Sequence, residues 1–69
     1  MIEVFKTNIE TTGDAHSIAE MLVQLFPGSR INFDLHDCDK ILRVEGNNFS
    51  TGEVVSLLSS EGFNCEVLE

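Results

Sequence analysis

The side chains best suited to bind a metal ion lie in one short stretch of the chain, from Asp34 to Asp39. The stretch reads Asp-Leu-His-Asp-Cys-Asp and combines a histidine and a cysteine with three carboxylates. These are groups that bind zinc and nickel in proteins. We therefore consider a site for Zn(II) or Ni(II) with these ligands: His36, Asp37, Cys38, Asp39 and, from an earlier loop, His16. The interpretation that we favour is a polar hairpin tip whose charges keep an edge strand from mispairing.

A second polar stretch, Thr11 to Asp14, precedes a helical pattern. Its oxygen atoms could hold a hard cation, but Thr-x-x-Asp is also a spacing that caps a helix. The carboxylate would then lie at the positive end of the helix dipole. We expect capping rather than ligation here, and we expect His16 to face the solvent one turn further on.

The composition argues against catalysis. Two histidines at one rim of a small domain cannot be assembled into a Ser-His-Asp or Cys-His-Asn arrangement. A chain of 69 residues also leaves little room for a deep cleft. We therefore expect a protein that is not an enzyme and that has no cofactor other than the candidate metal ion.

The charge of the chain restricts its partners. Four Lys and Arg residues stand against twelve Asp and Glu residues, which gives a net charge of −8. The four cations, Lys6, Arg30, Lys40 and Arg43, are scattered along the sequence. Nucleic acid and anionic membranes are therefore poor candidates, and cations or the basic surface of a protein partner are better ones.

The chain carries no obvious address for export or for a membrane. No apolar run approaches the ~20 residues of a membrane span, and Met1 leads directly into a strand pattern without a signal peptide. Two cysteines without an export signal are typical of a reducing setting, so we expect a cytoplasmic protein. We also expect Cys38 and Cys65 to remain unpaired.

Changes in hydrophobic period predict six elements. They are a strand to Thr7, a helix from Thr12 to Phe26, strands over Arg30–His36 and Ile41–Glu45, a second helix after Ser50, and a last strand with Phe63, Cys65 and Val67 pointing inward. In the first helix, the predicted buried stripe is Ile18, Met21, Leu22 and Leu25. The second helix begins at a Ser50/Glu53 capping box with a Phe49–Val54 staple, and Gly62 follows its end.

The order β-α-β-β-α-β has one common solution under right-handed crossover rules. It is an α+β, ferredoxin-like open-faced sandwich: a single domain over residues 1–69, with an antiparallel sheet in the order 4-1-3-2 and two helices on one face. The topology places the loops Thr11–His16, His36–Lys40 and Gly62-Phe63 at one end of the molecule. The open sheet face is predicted to carry Glu3, Phe5, Asn32, Asp34, Arg43 and Glu66.

The chain resembles the heavy-metal-associated domain family, which includes the small copper metallochaperones. Three segments carry the resemblance: Ile18-x-x-x-Leu22-x-x-Leu25 before Pro27-Gly28, Ile31-x-Phe33-x-Leu35, and Leu57-x-x-x-Glu61-Gly62-Phe63. The family signature, Gly-Met-Thr-Cys-x-x-Cys, falls on Asn8 to Asp14. Ile9 stands in the place of the methionine, and Thr11 and Asp14 occupy the two cysteine positions.

Without these two cysteines, the resemblance leaves two interpretations of the function. Two thiolates at a helix N-terminus suit Cu(I), whereas a hydroxyl and a carboxylate are hard oxygen ligands that cannot replace them. We expect a non-catalytic binding module that docks to a protein partner through the loop end or the open sheet face. The alternative is a metal carrier that uses the His16, His36 and Cys38 site with its neighbouring aspartates.

Overall fold

The computed structural model describes residues 1–68. The elements are β1 (Ile2–Thr7), α1 (Thr12–Leu25), β2 (Arg30–Asp34), β3 (Ile41–Glu45), α2 (Thr51–Ser60) and β4 (Cys65–Val67). The predicted second strand was two residues too long. Asp34 Oδ1 accepts the backbone N–H of His36, at 3.2 Å, and this local turn ends the strand at Asp34.

The four strands form one antiparallel sheet in the order β2-β3-β1-β4. This confirms the predicted order, read from the other edge. The central strand, β1, pairs Phe5 with Leu42 of β3 on one side and with Val67 of β4 on the other. Side chains directly opposite one another share a face of the sheet, so the register assigns every strand residue to a face.

Both helices cover the face of the sheet that carries Phe5. A single buried cluster joins strand and helix residues: Phe5, Leu42 and Val44 from the sheet, Ala15, Ile18 and Leu22 from α1, and Val54 and Leu58 from α2. The other face has no helix against it in residues 1–68. The open-faced sandwich is thus the observed architecture.

Three predicted side-chain positions were wrong. Phe5 and Glu3 were predicted on the open face, but Phe5 has an exposed fraction of 0% under the helices, and Glu3 lies on the same side, opposite the buried Val44. The strand is apolar on both sides, and its helix-facing phase continues through the buried Thr7 and Ile9. Leu25, predicted in the buried stripe, is 46% exposed because the α1 stripe ends instead at Phe26.

The predicted helix starts are confirmed. Thr11 caps α1 by accepting the N–H of Asp14 at 3.1 Å, and Ser50 caps α2 by accepting the N–H of Glu53 at 3.4 Å. Phe49 is buried beside Val54, as a hydrophobic staple requires, and its ring lies edge-on to that of Phe26.

The end of α2 is fixed by its glycine. Gly62 has a φ of +91°, a conformation that residues with a Cβ rarely adopt. Its N–H donates to the carbonyl of Ser59, and that of Phe63 donates to the carbonyl of Leu58. These two bonds form a Schellman cap, which turns the chain sharply into β4. The prediction of Gly62 as the residue after the helix is confirmed.

Candidate functional site

Thr7 joins the first loop to the β2–β3 hairpin at the loop end of the molecule. Its hydroxyl donates to the carbonyl of Lys40 at 2.6 Å and accepts the N–H of Ile9 at 3.2 Å. Its own N–H donates to the carbonyl of Asp39 at 3.1 Å. The side chain is buried, so these bonds replace contacts with water. Sequence reasoning missed this residue, although a threonine in phase with Phe5 and Ile9 was a signal that it faces inward.

Asn8 makes a second tie at the same end. Its Oδ1 accepts the N–H of Asn64 at 2.9 Å, which connects the start of the first loop to the turn before β4. Together, the bonds of Thr7 and Asn8 hold the three loop regions that the topology groups at one end. The loop end is therefore a hydrogen-bonded structure in which each loop is fixed by another.

The hairpin tip contains the one group of three metal-ligating side chains found in residues 1–68. One ligand atom each from Asp37, Cys38 and Asp39 lies within 4.8 Å of the other two. Asp37 and Cys38 are exposed, and Asp39 is half-buried. Three ligands at such a tip leave a tetrahedral ion open to solvent on at least one side.

The oxygens of this group already have other neighbours. Asp37 Oδ1 accepts the N–H of Asp39 at 2.9 Å, and the carbonyl of Asp37 accepts the N–H of Lys40 at 3.0 Å. Lys6 Nζ lies 3.8 Å from Asp39 Oδ1. Lys40 adopts a φ of +48° in this turn, and its Nζ donates to the carbonyl of Leu35. A cation at the tip would compete with both the turn and the Lys6 ammonium.

The two histidines lie beside the hairpin group rather than within it. His16 and His36 both line a groove between α1 and the end of β2. His16 Nε2 is 3.2 Å from Glu20 Oε1, one turn along the same helix, and both side chains are exposed. The structure therefore divides the five predicted ligands into a group of three at the tip and two histidines in the groove.

Thr11 and Asp14, at the family's cysteine positions, belong to the start of α1. The Thr11 hydroxyl accepts the Asp14 N–H, and the Asp14 carboxylate lies in the first turn. Both residues are exposed. Their observed interaction is the capping that the sequence predicted.

The two cysteines have different surroundings. Cys38 is exposed at the hairpin, and Cys65 is half-buried opposite Thr7 on the helix side of β4. Burial, reinforced by the nearby carboxylate of Glu66, raises the pKa of the Cys65 thiol to about 11. Neither is in a disulfide, which confirms that prediction.

The register gathers the scattered cations onto one surface. Lys6, Arg30 and Arg43 all lie on the open sheet face, which is the face away from Phe5, Leu42 and the helices. The acidic side chains of this face are Asp34, Glu45 and Glu66. Residues 8–29 and 46–64, which include both helices, contain no Lys or Arg. Three of the four cations therefore share the surface that the helices leave uncovered.

The open sheet face also carries an aliphatic patch. Ile2 is 55% exposed and Leu68 is 40% exposed, and both are neighbours of the half-buried Val4. Leu68 donates its N–H to the carbonyl of Val4, which places these two residues opposite each other. Ile41 lies on the same face, opposite Lys6, but is only 8% exposed. Sequence reasoning missed this patch because it assigned β1 to the wrong face.

Neither helix in residues 1–68 combines the length and the apolar composition needed to cross a membrane. No protein-family model matches the chain, and no curated protein or solved structure does so either. The resemblance to heavy-metal-associated domains thus rests on three sequence segments alone, and the surfaces of the molecule are the evidence for its function.

Proposed function

We propose that the protein is a non-catalytic binding module, similar to a heavy-metal-associated domain without its Cys pair, that docks to a protein partner in the reducing cytoplasm. The observation that carries this proposal is the composition of the open sheet face. Ile2, Val4 and Leu68 lie there among three cations and three carboxylates. Apolar side chains within a rim of mixed charge are the usual anatomy of a protein–protein interface.

The charge of the rest of the molecule supports the same surface. The formal charges of Lys6, Arg30 and Arg43 balance those of the three acidic residues on the open face, whereas the whole chain carries −8. A partner approaching the helices would meet acidic groups without any Lys or Arg between them. The open face offers both signs of charge, so complementary charges on a partner would set its orientation as well as attract it.

The test compares two exposed aliphatic residues on opposite sides of the molecule. Ile2→Glu places a carboxylate in the open face, and Leu25→Glu makes the same change on the helical side at similar exposure. A photoreactive cross-linker on the open face of the wild-type protein, used in a cell extract, should give a discrete product. Excess unlabelled wild-type protein or Leu25→Glu should suppress that product, and Ile2→Glu should not. Equal competition by the two variants would exclude the open face as the docking surface.

The second candidate function is metal carriage, and the geometry of the Asp37-Cys38-Asp39 group is what favours it. Under the metal-carrier hypothesis, Zn(II) or Ni(II) binds at the hairpin tip, and His16 or His36 completes the ligand set. Binding would weaken as the histidines become protonated, because an imidazolium cannot ligate a metal. High-affinity Cu(I) binding is not expected with Thr11 and Asp14 in the cysteine positions.

NMR titration of the reduced protein with Zn(II), Ni(II) and Cu(I) separates the two functions. For a docking module, the resonances of His16, His36 and Cys38 should remain unchanged at stoichiometric metal. If they shift together with Zn(II) or Ni(II), and Cys38→Ser abolishes the shift, the metal carrier replaces the docking module as the better account. Thr12→Ser, outside the ligand set, serves as the control variant.

A further inference from the structure

The outer side of β2 is a strand edge that no other strand of residues 1–68 occupies. The hydrogen bonds within the sheet show which backbone groups face this edge. Leu68 donates its N–H to the carbonyl of Val4, so the backbone of Val4 is directed toward β4 and away from β3. Arg43, opposite Val4, therefore directs its N–H and C=O toward β2, where it lies opposite Asn32.

Backbone directions alternate along a strand, so the two neighbours of Asn32 face outward. These are Ile31 and Phe33, and none of the turn, loop or side-chain hydrogen bonds of residues 1–68 uses their N–H or C=O groups. Two outward residues separated by one inward residue are the pattern that an added antiparallel strand requires. The edge can therefore accept another strand at both positions.

The sequence of β2, Arg-Ile-Asn-Phe-Asp, is complementary to itself when two copies run in opposite directions. With Asn32 opposite Asn32 of a second copy, Arg30 of each copy lies opposite Asp34 of the other, and Ile31 lies opposite Phe33. The charged pair is on the open sheet face and the apolar pair is on the helix side, because alternate side chains of β2 occupy these two faces. Ile31 and Phe33 also carry the outward backbone groups, so in this register they exchange both of their N–H···O bonds.

The charges favour this register over its neighbours. A shift by two residues in either direction keeps a backbone pairing, but it places Asn32 opposite Arg30 or Asp34 and removes both charge pairs. Neither charged residue belongs to an ion pair within residues 1–68. Asp34 lies opposite Ile41 in β3, and only its Oδ1 is used in the turn to His36. Both charges are therefore available to a second copy.

The helix side of the edge has room for a second copy. The groove between α1 and β2 consists of two adjoining depressions, of about 360 and 370 Å³, that share Ala19. Phe33 lines the first and Ile31 lines the second, so Ala19 lies level with the middle of β2. A two-fold axis beside Asn32 would direct the Ala19 methyl groups of the two copies toward each other, and side chains this small let the helices approach. Val23, which is 45% exposed, would be covered as the groove closes.

We propose that two copies of the chain associate through the outer edges of β2, paired antiparallel about a two-fold axis at Asn32. Such a contact uses the same patch on both copies, so the pair between Arg30 and Asp34 forms twice. The product is one continuous eight-stranded sheet with all four helices on one side. It joins the two open sheet faces into a single surface, and it forms whether or not docking at that surface is correct.

Sedimentation velocity of the purified, reduced protein measures this association, at a salt concentration that screens charges more than about 8 Å apart. The mass should rise from 7.7 kDa toward twice that value as the protein concentration approaches ~1 mM. Hydrogen exchange at the amides of Ile31 and Phe33 should slow over the same range. A protein that remains monomeric, or whose slowed amides lie at the β4 edge instead, overturns the proposal.

Charge reversal tests the register. Arg30→Asp and Asp34→Arg each place two pairs of like charges in their own dimer, so each should weaken association at least tenfold. Mixed in equal amounts, the two variants bring opposite charges together at both positions and should associate about as tightly as wild-type copies. This rescue also shows that both variants fold, although Asp34→Arg loses the bond to the N–H of His36.

Glu66→Arg is the matched control for Asp34→Arg. It makes the same change on the same face but in β4, at the opposite edge of the sheet, and should not weaken association. Both variants remove the same amount of negative charge, so a loss confined to Asp34→Arg cannot come from the net charge of the chain. Equal losses in the two variants, or mixed variants that remain monomeric, contradict the proposed pairing.

Discussion

The two faces of β1 both carry large apolar side chains but have different surroundings. Phe5 and Thr7 lie beneath the helices, and both are buried. Ile2 and Val4 lie on the opposite side, where Ile2 is more than half exposed. The hydrophobicity of the residues in one strand therefore does not determine which of its faces is covered. The helices and the register of the neighbouring strands decide it.

The largest effect expected from this comparison is on stability. Phe5→Ala should lower the free energy of unfolding by about 3–5 kcal/mol, because it opens a cavity beneath both helices. Val4→Ala, on the open face, should cost about 1 kcal/mol or less. Urea denaturation measures both. Since the first change could unfold so small a domain, Phe5→Leu provides a milder version, and similar losses at positions 4 and 5 would show that the faces are wrongly assigned.

The next effect concerns the polar residue on the covered side of β1. Thr7→Val keeps the shape of the side chain but removes the hydroxyl that bonds to Lys40 and Ile9. Losing a buried hydrogen-bonding group should cost about 1–3 kcal/mol. Thr12→Val, at an exposed position, is the matched control. If both changes have the same small effect in denaturant melts, Thr7 does not hold the loop end together.

A chemical measurement extends the comparison to β4. Below pH 8, alkylation of Cys65 in the folded protein should be at least tenfold slower than that of Cys38, because its raised pKa leaves less thiolate and its side chain is half-buried. The rate at Cys65 should continue to rise with pH toward about 11, where the thiol ionises. Mass spectrometry after timed labelling measures both rates. Equal rates would place Cys65 on the open face.

The smallest effects are expected at the helix caps. Ser50→Ala and Thr11→Ala should each lower stability by about 1 kcal/mol, because each leaves an N–H of the first turn without its side-chain acceptor. Ser56→Ala, within α2 and exposed, should not lower it. Unchanged denaturation midpoints for both cap variants would mean that the helices that cover β1 begin elsewhere.

The features that the sequence predicted well are local ones. The hydroxyls of Thr11 and Ser50 each accept an N–H from three residues along the chain, and the two hydrogen bonds of the cap after α2 span three and five residues. The strand order followed from the succession of elements and from crossover rules. The caps depend on short segments and the strand order depends on topology, so neither requires knowledge of contacts between distant residues.

The features that the sequence did not reveal depend on distant parts of the chain. The hydroxyl of Thr7 meets the carbonyl of Lys40, a residue 33 positions away. The groove between α1 and β2 exists because two elements with small side chains at the contact lie side by side. The hairpin group at Asp37 to Asp39 was predicted because its members are adjacent in the sequence. That His16 and His36 line a groove instead depends on where α1 packs against β2.

The division of charge between the two layers has a consequence for how the molecule meets others in solution. With cations and acids on the sheet side and acids without Lys or Arg on the helical side, the protein has an electric dipole from one layer to the other. Within about a Debye length, 8–10 Å at ordinary ionic strength, that dipole orients the molecule so that the sheet rather than the acidic helical side faces a negatively charged group of a partner. Added salt screens both this orienting effect and the repulsion of a chain that carries −8, but it leaves intact the aliphatic contacts that would hold a final complex.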